Sequence, residues 1–243
     1  MKIVIVLRKE TEGVKILVTG CGRGGTNLGI ELVRSLNYFN VTDKVEDRNF
    51  FKRDNFDLKY ATKLATENLD FTTSNIQRIL NDNPDMHVLF MVRHPIDICL
   101  SKILRGRPAS LGGDSTIETV AADGTLYGAV SAIRHMHKIY SFLKKEHENK
   151  IYVLKMEDLI CYPDKEILKI CERFDIDHEK ITANFYQNNR NQYQKKRYGN
   201  QLVQNVDLYK DLNKNFEGHF ALKESEVEKL LSLFKDIIKD LGY

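Results

Sequence analysis

From Gly20 to Asn27 the chain reads Gly-Cys-Gly-Arg-Gly-Gly-Thr-Asn, with four glycines set around one arginine. These residue types suit an anion. Glycines let backbone N–H groups come close to an anionic oxygen with no Cβ in the way. Arg23 adds a fixed charge and a planar fork of donors, and Thr26 and Asn27 add side-chain donors. A second basic position, Arg93, is followed eight residues later by Ser101. Ser101 thus lies about two turns into the helix that Pro95 starts, and a guanidinium and a hydroxyl placed this way can hold a second anion. Arg93 as a surface ion-pair residue and Ser101 as a solvated helix position remain the alternative. Three further positions and one stretch bear on chemistry. Glu46 and Asp47 offer carboxylates that can accept a proton, and Lys63 offers another cation. The stretch around Lys195-Lys196-Arg197 and Gly199 is basic within a polar loop, Asn184–Asn205.

The elements around these residues are legible from their patterning. Ile16 to Val18 is a short apolar run that reads as a buried strand, and Leu28, Leu32, Val33 and Leu36 follow at helical spacing. Strand, Gly-rich turn and helix in that order aim N–H groups and a helix N-terminus at one point, an anion site. His87–Val92 is a continuous apolar run of the kind found in central parallel strands. Pro95 opens the helix after it, with Ile96, Cys99, Leu100 and Ile103 on one face. In an open α/β sheet, ligands collect at the carboxyl ends of strands, so Gly20 and Arg93 are expected to line one crevice. Ile3–Leu7, Lys59–Ala65 and Ile151–Leu154 read as further strands. A capping box at Ser74–Gln77 is expected to open a short helix. Pro163 opens another, and Val227, Leu230, Leu231, Phe234, Ile237, Ile238 and Leu241 share the face of one closing helix. The alternation predicts a single α/β domain over residues 1–243, with a central parallel sheet flanked by helices. Leu104–Gly128, rich in small residues, reads as a long loop and a candidate acceptor lid, carrying Arg105 and Arg107.

Composition sets bounds on function. The 243 residues carry a net charge of +3 and are 42% hydrophobic. That is enough for a core, and there is no long basic run to suggest nucleic acid. No apolar stretch is long enough to span a membrane, so the chain reads as a soluble, cytoplasmic protein. The four cysteines, Cys21, Cys99, Cys161 and Cys171, include no C-x-x-C pair, and no metal site is expected. They read as reduced, buried thiols. Cys21 lies inside the anion loop, which raises the question of its oxidation.

The loop differs from the nucleotide-triphosphate pattern G-x-x-x-x-G-K-[ST]. Gly20 and Gly25 have the right separation, but Thr26 stands where the lysine would be and the cation has moved to Arg23. With the cation placed this way, the loop resembles the 5′-phosphosulfate loop of sulfotransferases. Val92-Arg-His-Pro95 through Ser101 is similar to that family's 3′-phosphate motif. Tyr152–Leu159, ending in Glu157-Asp158-Leu159 and followed by Pro163, resembles the family's strand ending in Glu-Asp-Leu. The closing Leu241-Gly242-Tyr243 is similar to bacterial members.

The resemblance implies a P-loop-like fold and 3′-phosphoadenosine 5′-phosphosulfate as sulfuryl donor, with no metal. By position, Gly22, Arg23, Gly24, Gly25, Thr26 and Asn27 would hold the 5′-phosphosulfate, and Arg93 and Ser101 the 3′-phosphate. Arg197 and Gly199 would be the counterpart of a late basic motif on the same phosphate, or part of a solvated charge run. Arg23 would also stabilise charge on the transferring group. The acceptor would be a small molecule or a glycan, since the Gly24-Gly25-Thr26 loop is closest to carbohydrate members. The general base would be Glu46 or Asp47, which precede Phe50-Phe51 as a catalytic Glu does in those members; both as solvated loop carboxylates is the other reading. Lys63 is open between a second cation on the leaving phosphate and an edge-strand lysine. His135 and His137 read as a surface and a core-edge residue, and Glu157-Asp158 as structural. Two other classes stay open: a P-loop kinase of a small molecule or nucleotide, and a non-catalytic nucleotide-binding protein.

Overall fold

The computed structural model describes residues 13–36, 38–42, 46–47, 49–105, 126–176 and 224–243. Among these residues five strands form one sheet: β1 (Lys15–Gly20), β2 (Asn40–Val41), β3 (Tyr60–Lys63), β4 (Met86–Val92) and β5 (Ile151–Lys155). Their order is β2-β3-β1-β4-β5 and every pairing is parallel. The helices are α1 (Thr26–Ser35), α2 (Thr73–Asp82), α3 (Pro95–Arg105), α4 (Leu126–Glu146), α5 (Met156–Cys161), α6 (Pro163–Phe174), α7 (Glu224–Leu233) and α8 (Lys235–Asp240), with a 3-10 turn at Phe50–Lys52.

Strand alternation divides the interior in two. Leu17, Val88, Phe90 and Val92 face one side and pack with Ile76, Ile79, Ile98, Ile133, Met136 and Phe234. Ile16, Val18, Leu89, Met91 and Leu154 face the other, with Leu32, Val33, Leu159, Ile167 and Ile170. Burial on both faces is why β1 and β4 carry near-continuous apolar runs. Each fully buried side chain of this size contributes about 1.5–3 kcal/mol.

β1 is central. It pairs with β3 (Ile16↔Ala61, Val18↔Lys63) and with β4 (Lys15↔Met86 through Gly20↔Met91). After β1 the chain moves to β2 and β3 on one side; after β3 it crosses β1 to β4 and β5. The order therefore reverses at β1, and the carboxyl ends of β1 and β4 open at a topological switch point. The expected shared crevice is there. Phe50, Phe51, Phe56 and Phe71 stack in a buried group with ring centroids 5.0–5.1 Å apart. This cluster seats the 3-10 turn and, with it, the Glu46-Asp47 stretch before it.

Several boundaries differ from expectation. α2 begins slightly earlier than the capping box predicted: Thr72 rather than Ser74, in extended backbone, is the N-cap and its side chain accepts from the Asn75 N–H at 3.2 Å. β3 is shorter than Lys59–Ala65, because Lys59 has a left-handed φ of 58°. Glu157, Asp158 and Leu159 do not end a strand; they lie in α5, which starts directly after β5. The closing helix is broken at Phe234 (φ −102°, ψ 7°) into α7 and α8. Leu230, Phe234, Ile237 and Leu241 still face the core, but Leu231 does not and is 42% exposed. β2, two residues long, lies in a polar stretch that carries no strand pattern. The expected loop Leu104–Gly128 gives up Leu104-Arg105 to α3 and Leu126–Gly128 to α4, and residues 106–125 lie outside the described ones. So do the expected strand Ile3–Leu7 and the loop Asn184–Asn205.

Candidate functional site

β1 delivers the chain to the switch point, where Gly20 turns it with φ 141°. A Cβ here would stand 2.2 Å from the Met91 carbonyl oxygen on β4, so glycine is required. The loop then tightens, with the Gly24 N–H donating to the Cys21 carbonyl at 2.8 Å. Arg23 itself is left-handed, φ 72°. Gly25, φ 96°, is the N-cap of α1 and brings no side chain to cap it. The orphan N–H groups of a helix's first turn carry partial positive charge, and here they open onto the arginine loop.

The two anion motifs meet. Arg23 Nε donates to Ser101 Oγ at 3.0 Å, and Arg93 Nη1 donates to the Arg23 carbonyl at 3.4 Å. Arg93 and Ser101 are both buried. Arg93 Nε lies 3.8 Å from Asp97 Oδ2, one turn along α3. Residues 70 or more positions apart in the chain thus form one basic cradle.

Lys63, at the end of β3, is buried and points to the same loop. Its Nζ donates to Asn27 Oδ1 at 2.6 Å and stands 3.5 Å from Glu46 Oε1. Lys63 is therefore no solvated edge lysine: β3 lies between β2 and β1. Glu46 is one-third exposed. Asp47 is in a different position. Its side chain is 1% exposed, Oδ2 accepts from Tyr60 Oη at 2.6 Å and pairs with Arg53 Nη2 at 3.1 Å, and Oδ1 accepts from the Asn49 N–H at 3.2 Å. Burial, then the Asp47 hydrogen bond, pushes the Tyr60 phenol well up. Asp47 is a clamp that fixes its own loop to β3, where its N–H also donates to the Lys63 carbonyl.

Two charged residues escaped the sequence reading. Glu67 accepts from the Gly22 N–H at 2.9 Å with both oxygens, and Oε1 takes Lys102 Nζ at 2.6 Å. The available signals were position alone. Glu67 lies four residues past Lys63 at the functional edge of the sheet, and Lys102 follows Ser101. Burial raises the Glu67 carboxyl, but the Lys102 ammonium, its hydrogen bond and the Gly22 N–H outweigh it, and the group titrates below its usual range. A lowered folded-state pKa contributes stability above the unfolded value of about 4.3, lost as pH falls through the folded value. The Tm advantage of the wild type over Glu67→Gln is therefore expected at neutral pH and should shrink below about pH 4, as a thermal-melt series across pH will read.

The turn after Arg93 is braced from another direction. Glu157 Oε1 accepts from the His94 N–H at 3.0 Å and Oε2 from Tyr243 Oη at 2.6 Å. The Tyr243 ring meets His94 edge-on at 5.3 Å, and Lys155 Nζ sits over it while donating to the Gly242 carbonyl at 2.6 Å. Glu157 thus holds the turn that carries Arg93 through backbone and tyrosine hydrogen bonds. His135 Nε2 lies 3.0 Å from the Phe71 carbonyl and His137 Nε2 2.9 Å from Asp240 Oδ2, so both tie α4 to its neighbours. Burial first, then Glu67, holds the Cys21 thiol well above its ordinary pKa, and burial takes Cys99 to about 12; neither has thiolate character at neutral pH. Arg197, Gly199 and Arg107 lie outside the described residues. Among the described residues no helix is long and apolar enough to cross a membrane, and no cluster of three or more His, Cys, Asp or Glu side chains is placed to hold a metal.

Comparison with known proteins agrees with this geometry. No curated protein sequence matches the chain. Among solved structures it is similar to the sulfotransferase domain from the curacin biosynthetic pathway, with TM-score 0.53 and 14% identity over 93% of this chain and 99% of that one. At that identity the likeness speaks for the fold. The family model of the sulfotransferase domain matches residues 14–242, from the start of β1 to the penultimate residue. With nearly its whole length matched, the chain belongs to the sulfotransferase domain family.

Proposed function

We propose that this sulfotransferase takes its sulfuryl group from 3′-phosphoadenosine 5′-phosphosulfate and passes it to a hydroxyl of a small-molecule acceptor, a sugar hydroxyl being the favoured kind. The observation that carries the donor is the direct bond between Arg23 and Ser101, with Arg93 on the Arg23 carbonyl. A nucleotide with phosphate groups at both ends of its ribose needs two anion sites at a fixed separation, and these residues supply them. Gly22–Asn27 with the α1 N-terminus form the 5′ site; Arg93 and Ser101 form the 3′ site. When bound, the donor supplies the sulfuryl group and departs as the 3′,5′-bisphosphate.

The residues then divide the work. Glu46 accepts the proton of the acceptor hydroxyl as that oxygen bonds to sulfur. Arg23 and Lys63 neutralise charge on the oxygen whose bond to sulfur breaks. Catalysis by positioning and fixed cations is what transfer of such a group requires. Glu46 is favoured over Asp47 because Asp47 has its oxygens engaged by Tyr60, Arg53 and Asn49 in the interior. Glu46→Gln is expected to lower kcat about 10²–10³-fold with bisphosphate affinity unchanged, measured by steady-state turnover beside calorimetry.

The test of the donor is calorimetric titration with 3′-phosphoadenosine 5′-phosphate, and separately with ATP and magnesium, on wild type, Arg23→Ala and Arg93→Ala. Micromolar binding of the bisphosphate, lost in both variants, supports the reading. Binding of ATP with magnesium in its place overturns it in favour of a kinase.

A further inference from the structure

The anion loop and α3 are joined twice. The direct join is Arg23 Nε to Ser101 Oγ at 3.0 Å. The second runs through a residue of neither motif. Glu67 holds the Gly22 N–H with both carboxylate oxygens at 2.9 Å and receives Lys102 Nζ at 2.6 Å. Gly22 and Arg23 are neighbours in the loop; Ser101 and Lys102 are neighbours on α3. The four residues and Glu67 therefore close a ring. A single hydrogen bond leaves the loop free to pivot about it, whereas two joins one residue apart fix both separation and tilt. Glu67 is itself held, since the Thr66 N–H and Oγ1 donate to the Gly20 carbonyl at 3.0 and 3.3 Å. Lys102 is 3% exposed, and its charge is spent on Glu67.

Resting on the donor reading above, we propose that Glu67 and Lys102 are positioning residues that set the spacing between the 5′-phosphosulfate site and the 3′-phosphate site. They touch neither phosphate. They act through Gly22 and Arg23 on one side and Ser101 on the other. The consequence is cooperation between the two phosphates: with the loop and α3 locked in register, a ligand that satisfies one site meets the other already placed, and the second phosphate adds its full affinity.

The experiment compares the Kd of adenosine 5′-phosphate with that of adenosine 3′,5′-bisphosphate, by calorimetry, for wild type, Glu67→Ala, Glu67→Gln and Lys102→Met. In the wild type the second phosphate should tighten binding about 10–100-fold, the worth of charge-assisted hydrogen bonds. In Glu67→Ala and Lys102→Met that ratio should fall to within about threefold of unity. Glu67→Gln keeps an oxygen for the Gly22 N–H and should retain most of it. A global loss of stability lowers both affinities together and leaves the ratio alone, so the ratio reads positioning. If Glu67→Ala does not fold, Lys102→Met, which leaves Glu67 on Gly22, decides. A wild-type ratio preserved in a folded Glu67→Ala or Lys102→Met overturns the proposal while the donor reading stands. A wild type that does not discriminate the two nucleotides overturns both.

Discussion

Arg23→Ala is expected to lower turnover about 10³-fold, at the upper end of what removing one donor from a charge-stabilising site costs. Arg23 does three things at once. Its guanidinium supplies the charge nearest the loop, its Nε bonds Ser101, and its carbonyl receives Arg93. Alanine keeps the carbonyl and removes the other two. Lysine keeps a charge but has no second nitrogen to reach Ser101 and an anionic oxygen together. Arg23→Lys should therefore recover part of the loss, about tenfold, and Arg23→Ala none. The residue's φ of 72° costs a side chain of any kind about the same, so neither variant should change Tm by much. Turnover and thermal melts on the same preparations check this. A variant that melts early would instead assign the effect to the loop's fold.

The second large effect is on stability. Gly20→Ala should destabilise the protein by at least about 3 kcal/mol, adding overpacking to left-handed strain. The added methyl would stand 2.2 Å from the Met91 carbonyl, an atom of β4 backbone that is held in the sheet and cannot turn aside. Relief requires β1 and β4 to separate at the end where the site is built. At roughly 2–4 °C per kcal/mol for a domain of this size, Tm should drop on the order of 10 °C. Gly25→Ala is the comparison. Its Cβ would meet the Met156 side chain at 3.1 Å, and a methionine can shift. Its cost should be smaller by half or more. Denaturant unfolding of the two variants separates backbone collision from left-handed strain, which they share.

The parts of this protein that depend on local pattern were readable before folding. Strand, glycine turn and helix around Arg23 occur as written, because the apolar run and the 3.6-residue period report burial directly. Arg93 and Ser101 were readable because one directly follows the apolar run of β4 and the other lies about two turns beyond it, in the helix that Pro95 opens. What was not readable depended on partners distant in sequence. Glu67 and Lys102 look like two solvated charges until β3 and α3 bring them 2.6 Å apart. Glu46 and Asp47 are chemically alike in the chain; only Tyr60 and Arg53 make one a buried clamp and leave the other beside Lys63. The break at Phe234 is another case, since an unbroken helical period says nothing about where a helix must bend to follow the core.

The all-parallel sheet has a consequence for how the chain comes into being. Among the described residues no strand pair can form as a hairpin; each needs a crossover, and β1 must wait for residues of both β3 and β4. Such non-local pairing is slow to form. On a ribosome, β1 and the glycine loop emerge before the parts that hold them, since Glu67, Met91 and Ser101 all follow later in the chain. The nascent protein passes through a period with an apolar central strand unpaired and the basic cradle not yet assembled. The basic cradle can close only when β4 has docked and α3 has followed it, so its closing marks the moment at which the sheet is complete enough to bury β1.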